Sequence, residues 1–286
     1  MILLTGATGK CGSAAAAALA GKGVPLRALV RDAGKAAGLK AAGVELVIGD
    51  VTDPDTVRGA LVGVDKALLI LPNSEQQLAL EKQFTDLAKA AAVRHLVKLS
   101  SMEAVASATA PIPRVHWASE EYIRACGLNW TMVKPNFFMQ NLLANAVTIK
   151  SMHKFFMPMA DGTTAMSDTR DIGAVIAEVL TGEGHEGKNY EITGPELLSF
   201  HDVADRFSEV LGVKIEYVNQ PPAAFREQLG KFISSKWHLD AVCQLFAEIA
   251  EGRLNYVTDT FRQLMGRDPI SLRQFITDHK AVFQTG

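Results

Sequence analysis

Thr5-Gly6-Ala7-Thr8-Gly9-Lys10-Cys11-Gly12 follows directly on the apolar run Met1–Gly6 and leads directly into the alanine-rich stretch Gly12–Ala20. Glycines at 6, 9 and 12 permit a tight turn, let the backbone approach a pyrophosphate, and let a helix pack closely on its strand. Free amides at the helix start then face the anion. A glycine triplet alone also suits a plain strand-to-helix turn. Strand, loop and helix in this order instead indicate a dinucleotide site, with Gly6, Ala7, Thr8, Gly9, Lys10, Cys11 and Gly12 as its candidate residues.

Outward from this loop, short apolar runs alternate with helical patterns. The runs Met1–Gly6, Pro25–Arg31, Val44–Asp50, Lys66–Pro72, His95–Ser101 and Trp130–Asn136 read as strands buried on both faces. Between them, Gly12–Ala20, Thr56–Leu61, Glu75–Ala92 and Ala118–Cys126 read as helices. Six strands joined by crossovers predict an α/β fold, a Rossmann-type doubly wound parallel sheet with its ligand crevice at the carboxyl ends of the strands. The second half loses this cadence. Helices are expected at Asp171–Leu180, Ala223–Leu229, Leu239–Glu251 and Leu272–Phe283, and strands at Asn189–Thr193 and Lys214–Val218. Ser199 opens a further helix to Leu211, with Asp202 at its third position. These elements predict a smaller C-terminal α/β lobe that caps the crevice and binds substrate. The expected division is a nucleotide-binding domain over residues 1–140 and a lobe over 141–286 that partly returns to the sheet.

The 286 residues are 48% hydrophobic and 21% charged, enough for one large core or one core and a cap. A net charge of −2, with no block of like charges, argues against nucleic acid as a partner. Apolar runs such as Ala14–Ala20 fall short of the roughly 18 to 20 residues that a membrane span needs. No leader pattern precedes the first strand, and a cytoplasmic protein is expected. Cys11, Cys126 and Cys243 are too few and too scattered for a disulfide framework or a structural metal site, so free thiols and no metal are expected. Cys11, at a helix start where the dipole favours a thiolate, is either an oxidant-sensitive residue of the loop or structural filler. Oligomeric state has no signature here; a homodimer is the commonest closed assembly.

Arg31 ends the second strand in Ala28-Leu29-Val30-Arg31-Asp32, with Lys35 one turn on. A guanidinium there grips a ribose 2′-phosphate, whereas a carboxylate takes the 2′-hydroxyl and repels the phosphate. Arg31 therefore predicts NADPH over NADH, and Asp32 pointing inward in its place would reverse the preference. Asp50, followed by Val51 at the end of the third strand, is placed to bond an adenine amino group or simply to lead the next helix. Leu71, Pro72 and Asn73 end the fourth strand, Ser100 and Ser101 the fifth, and Pro135, Asn136 and Phe137 the sixth. All are cofactor candidates. Met102, Glu103, Phe138 and Met139, together with Phe155 from the cluster Met152, Phe155, Phe156, Met157 and Met159, are substrate-pocket candidates, although methionine and aromatic clusters also build cores.

The glycine loop, Val30-Arg31, Gly49-Asp50, Leu99-Ser100-Ser101 and Lys134-Pro135-Asn136-Phe137-Phe138 together resemble the NmrA-like group of atypical short-chain dehydrogenases/reductases, over nearly the whole chain. The resemblance is strongest to its bacterial NADPH-dependent quinone, azo-dye and triphenylmethane-dye reductases, and implies that Pro135-Asn136 lies against the nicotinamide. The larger superfamily carries a Tyr-x-x-x-Lys pair on the helix after the fifth strand. Here Tyr122 is followed four residues later by Cys126, and His116-x-x-x-Glu120 puts a different pair on one helix face. His116 and Glu120 are the candidate catalytic residues, with a His–Glu pair that only steadies the helix as the alternative. A quinone, azo bond or triarylmethane cation accepts hydride into a delocalised system and needs no positioned acid for an alkoxide. The expected activity is therefore NADPH-dependent reduction of a small planar aromatic acceptor by orientation. The resemblance also leaves open a sensor of the NADP(H) ratio that acts through a protein partner.

Overall fold

Ile2, Leu3 and Leu4 are all buried in the strand they form, β1 (Ile2–Leu4), which is central in its sheet with a neighbour on each edge. The computed structural model describes residues 1–284. The remaining strands are β2 (Leu26–Val30), β3 (Glu45–Ile48), β4 (Lys66–Leu69), β5 (His95–Leu99), β6 (Asn129–Pro135), β7 (Lys154–Met157), β8 (Thr163–Thr164), β9 (Lys188–Ile192), β10 (Leu198–Ser199) and β11 (Glu216–Asn219). The helices are α1 (Lys10–Ala20), α2 (Ala37–Ala41), α3 (Pro54–Leu61), α4 (Gln77–Ala90), α5 (Pro111–Ala125), α6 (Ala146–Met152), α7 (Thr169–Thr181), α8 (Phe200–Leu211), α9 (Pro222–Leu229), α10 (Lys236–Ala250), α11 (Thr260–Met265), α12 (Leu272–Asp278) and α13 (Lys280–Phe283). A 3₁₀ turn, Met139–Asn145, precedes α6.

The central sheet runs β3-β2-β1-β4-β5-β6-β9. Ile2 pairs in parallel register with Leu26 on one side and Lys66 on the other, and the row continues through His95 to Asn129. The strand order reverses between β1 and β4, which makes this the switch point of a doubly wound sheet. Six of the seven strands are those expected. The seventh, β9, and the helix before it, α7, lie within residues 141–286, the stretch expected to return partly to the sheet. Packing brings them back to the sheet: an added Cβ at Gly173 in α7 would stand 2.5 Å from the Ala14 carbonyl carbon in α1. Only small residues allow two helix backbones so close, which accounts for the alanine run of α1.

Contacts divide the chain into two units. The first is Met1–Ser107, Pro113–Pro135 and Thr169–Glu191; the second is Ala108–Ile112, Asn136–Asp168 and the chain from Ile192 onward. The first unit's core joins Leu3, Leu29 and Leu69 of the sheet to Val57, Leu61, Phe84 and Ile123 of the helices. In the second, Phe155 is fully buried against Phe207 and Tyr217, with ring centroids 6.0 and 5.4 Å away. Phe155 is therefore a core residue and not the pocket residue expected. Met139 belongs to the same core, and Met102 is fully buried in the first unit.

Local signals set most helix boundaries. Ser199 and Asp202 form the reciprocal capping box at the head of α8. Helix α5 begins about two turns earlier than its apolar periodicity indicated, because Pro111 and Pro113 occupy a first turn whose amides need no intrahelical partner. Among the described residues, no helix is long and apolar enough to cross a membrane, and Cys11, Cys126 and Cys243 are all free.

Candidate active site

The loop between β1 and α1 is held shut by backbone. Gly6 takes φ +62°, in the left-handed region, and a Cβ there would come within 2.8 Å of the Ile70 carbonyl oxygen. Gly9 N donates to Gly6 O at 2.9 Å. Gly12 is tightest: a Cβ would lie 2.1 Å from Gly6 O and 2.6 Å from Gly6 C. Thr5, whose role went unremarked in the sequence, pins the loop to the exit of β4, where its hydroxyl accepts from Ile70 N at 2.8 Å and donates to Leu68 O at 3.1 Å. Helix α1 starts with no side-chain cap and no acidic residue in its first turn, so its leading amides are left for an anion. Thr8, Gly9 and Lys10 are exposed at this point, while Ala7, Cys11 and Gly12 are buried against the sheet. Burial pushes the Cys11 thiol up to about 12. A buried thiol held in this way favours the structural reading of Cys11 over the oxidant-sensitive one.

At the end of β2, 77% of the Arg31 side chain is exposed, and Lys35 is exposed beside it. Asp32 engages its own loop. Its Oδ1 turns back to accept from Gly34 N at 2.8 Å and Lys35 N at 3.3 Å. Asp50 accepts from Thr52 N at 2.9 Å, and Val51 O accepts from Gln83 Nε2 at 3.1 Å. Leu71 and Asn73 are half-buried and Pro72 is exposed after β4.

Past β5 the side chains form a buried polar network. Ser100 Oγ donates to Glu120 Oε1 at 2.5 Å, and Glu120 Oε2 also takes Arg124 at 2.6 Å and Lys134 Nζ at 3.2 Å. Lys134 Nζ donates to Ala104 O at 2.8 Å, and Met102 N to Pro135 O at 3.2 Å, which ties the exits of β5 and β6 together. The Ser101 hydroxyl is buried without a partner; Glu103 is half-buried. Below them Lys98 Nζ meets both carboxylate oxygens of Glu81 at 2.7 Å, and Gln77 Nε2 adds a contact at 3.1 Å. This ion pair was not anticipated; the signal was a lysine inside the otherwise apolar strand His95–Leu99.

His116 and Glu120 are not brought together. Glu120 serves Ser100, Arg124 and Lys134, whereas His116 faces the charges of Lys98 and Glu81, and its Nδ1 is buried without a partner. Burial, reinforced by the Lys98 ammonium, pushes His116 down to about 3. The imidazole is thus neutral near pH 7 and cannot supply an imidazolium proton. An unfolded chain would protonate it near 6.5 and so binds more protons between the two values, which makes stability fall as the pH drops below about 6.5. From this one group the loss should reach roughly 2 kcal/mol at pH 5. Urea titrations at pH 7 and pH 5 should show His116→Gln losing less on acidification than the parent chain.

In the second unit, Asn136 Oδ1 accepts from Phe137 N at 2.7 Å and from Thr164 Oγ1 at 2.9 Å, so this carboxamide is occupied inside its own unit. Phe137 is buried between Phe200 and Phe246, with centroids 6.2 and 5.7 Å away. Phe138 is half-buried beside its bridge partner Ser167. Of the expected pocket residues, Met102, Met139 and Phe155 are core, leaving Glu103 and Phe138 with accessible surface.

A glycine turn under an open helix N-terminus, at the switch point of a parallel sheet, defines a dinucleotide-binding protein of the doubly wound class. The NmrA-like family model matches residues 1–264, and the chain belongs to that family. It is 35% identical over 283 residues to an NAD(P)H azoreductase of Xenophilus azovorans, with 99% of each chain covered. It is 34% identical over 289 residues to a (4-alkanoyl-5-oxo-2,5-dihydrofuran-3-yl)methyl phosphate reductase of Streptomyces griseus, again with 99% of each covered. Among solved structures, the NADPH-dependent quinone oxidoreductase QOR2 of Escherichia coli, complexed with NADPH, superposes with a TM-score of 0.87 at 27% identity, covering 98% of this chain and all of that one.

Proposed function

We propose that the protein transfers hydride from NADPH to a small conjugated acceptor of the quinone or azo-dye type, with protons supplied by water and not by a side-chain relay. It is an NAD(P)H-dependent oxidoreductase; the acceptor class is what its side chains argue. The observation that carries the reading is the state of three groups around β5 and α5 that could act as acids: Ser100, His116 and Tyr122. Ser100 donates its proton to Glu120, His116 is neutral, and the Tyr122 hydroxyl donates to Asp86 at 2.6 Å on the exposed side of its helix. Nothing among these groups is poised to protonate an alkoxide, as ketone reduction requires. A delocalised acceptor avoids that requirement. The relatives agree in kind: one is an azoreductase, one a quinone oxidoreductase, and one takes a ring whose carbonyl is conjugated with a double bond.

The bound nicotinamide would supply the hydride. The chain's own part is to hold the pyrophosphate on the amides after Gly6 and Gly9, to grip the 2′-phosphate with Arg31, and to keep the exits of β5 and β6 rigid through Glu120 and Lys134. Both the cradle that a Cβ would fill at Gly12 and the exposed guanidinium of Arg31 fit such a cofactor.

NADPH absorbance followed with menadione, Orange II and cyclohexanone tests the proposal. Turnover of the first two without the ketone is expected. Rapid ketone reduction would refute it, and tight NADPH binding without turnover of any acceptor would favour a sensor of the NADP(H) ratio. In the same preparation, Arg31→Ala should raise the Kd for NADPH roughly thirtyfold, the equivalent of about 2 kcal/mol for a charge-assisted phosphate contact, and leave NADH nearly unchanged.

A further inference from the structure

Four charged side chains stand at the ends of β2 and β3, and their signs cancel. Arg31 and Lys35 are cations; Asp32 and Asp50 are anions. Each carboxylate is held in place by backbone amides of its own loop: Asp32 by Gly34 N and Lys35 N, Asp50 Oδ1 by Thr52 N. The second oxygen of Asp50, Oδ2, faces Arg31 Nε at 4.0 Å. The Thr52 amide, with a smaller contribution from Arg31, holds the Asp50 carboxyl below the usual carboxylate range, so it carries full charge at neutral pH. An open guanidinium thus has a fixed anion as its neighbour before any ligand arrives.

We propose that Asp50 is a specificity-determining residue, setting how strongly the protein prefers a 2′-phosphorylated dinucleotide by competing with the 2′-phosphate for Arg31. The inference rests on the NADPH reading above. An exposed ion pair at this distance changes an equilibrium by no more than about fivefold. A 2′-phosphate offers two charges and bidentate geometry, and it outcompetes such a partner. With an unphosphorylated ribose, Arg31 stays on Asp50 and the cation is never left without a counter-charge. The pocket therefore accepts both dinucleotides, and the cost of pulling Arg31 from Asp50 trims the preference for NADPH. Among the described residues Asp32 makes no ion pair with Arg31, and its Oδ1 is held by Gly34 N and Lys35 N.

Kd values for NADPH and NADH, measured by fluorescence titration at low salt on the parent chain, Asp50→Asn, Arg31→Ala and the double variant, test the proposal. Asparagine keeps an acceptor for Thr52 N and loses the charge. Asp50→Asn should raise the NADPH-over-NADH preference by roughly three- to fivefold, Arg31→Ala should remove the preference, and adding Asp50→Asn to Arg31→Ala should change it no further. An unchanged preference in Asp50→Asn overturns the competition. So does equal weakening of both dinucleotides, the mark of an adenine contact, and so does a shift that persists without Arg31, which would mean direct repulsion of the phosphate. Failure of the NADPH reading itself looks different: Arg31→Ala would then leave the preference where it began.

Discussion

Gly12→Ala should abolish dinucleotide binding while leaving the protein folded but less stable. The added methyl would stand 2.1 Å from the Gly6 carbonyl oxygen and 2.6 Å from its carbon, and both are backbone atoms that no rotamer change can move. Helix α1 has little room to shift, because Gly173 of α7 lies against the Ala14 backbone. The strain must be relieved by opening the Gly6–Gly9 turn, whose amides are the ones available to a pyrophosphate. Overpacking of this kind costs about 3 kcal/mol, and displacing the amides should weaken NADPH binding more than a hundredfold by the tenfold-per-1.4 kcal/mol rule. Thermal unfolding and NADPH titration measure the two effects separately. Gly59→Ala in α3 is the control, since a Cβ there meets nothing within 4 Å and alanine favours a helix. Unaltered NADPH affinity in Gly12→Ala would remove the loop from the cofactor site.

Lys98→Met should cost the fold more than most single core substitutions, on the order of 3 to 5 kcal/mol. Lys98 has no exposed surface and Glu81 has 1%, so the pair shares one dry site between β5 and α4. Burial drives the Glu81 carboxyl up, but the Lys98 ammonium at 2.7 Å from both oxygens, together with His116 and Ser119, holds it below the usual value. Once the ammonium is gone, the carboxylate must either stay charged without a counter-ion or take up a proton. Lys98→Met with Glu81→Leu should recover most of the loss, because two apolar side chains of similar volume owe no desolvation. Urea denaturation of the three variants decides the matter. A double variant no better than Lys98→Met would show that packing and not charge is at stake. His116 gives a second readout, since its depressed pKa owes part of its shift to Lys98.

Features that depend on a dozen consecutive residues were legible from the amino-acid order. The Gly6–Gly12 loop, six strands of the sheet and the Ser199–Asp202 capping box all follow from backbone requirements that a short stretch satisfies or fails by itself. Arg31 at a strand end was legible for the same reason, and Asp32 folding back on Gly34 and Lys35 is equally local. Helix spacing, by contrast, put His116 and Glu120 on one face and suggested a pair. A shared face does not choose partners: Ser100 and Lys134 come from the ends of two strands, and they take Glu120 away.

The sequence by itself determined a dinucleotide loop on a doubly wound sheet, a cationic end to its second strand, and the lack of a Tyr-x-x-x-Lys pair. Only the tertiary structure decided which part of the second half returns to the sheet, α7 with β9, that Met102, Met139 and Phe155 are core, and that burial disfavours the charged forms of Cys11 and His116. The physical reason is the range of the forces. Turn and cap preferences act within a few bonds, whereas desolvation and charge pairing are set by whichever elements pack against a side chain, from Glu81 seventeen positions before Lys98 to Gly173 in contact with Ala14.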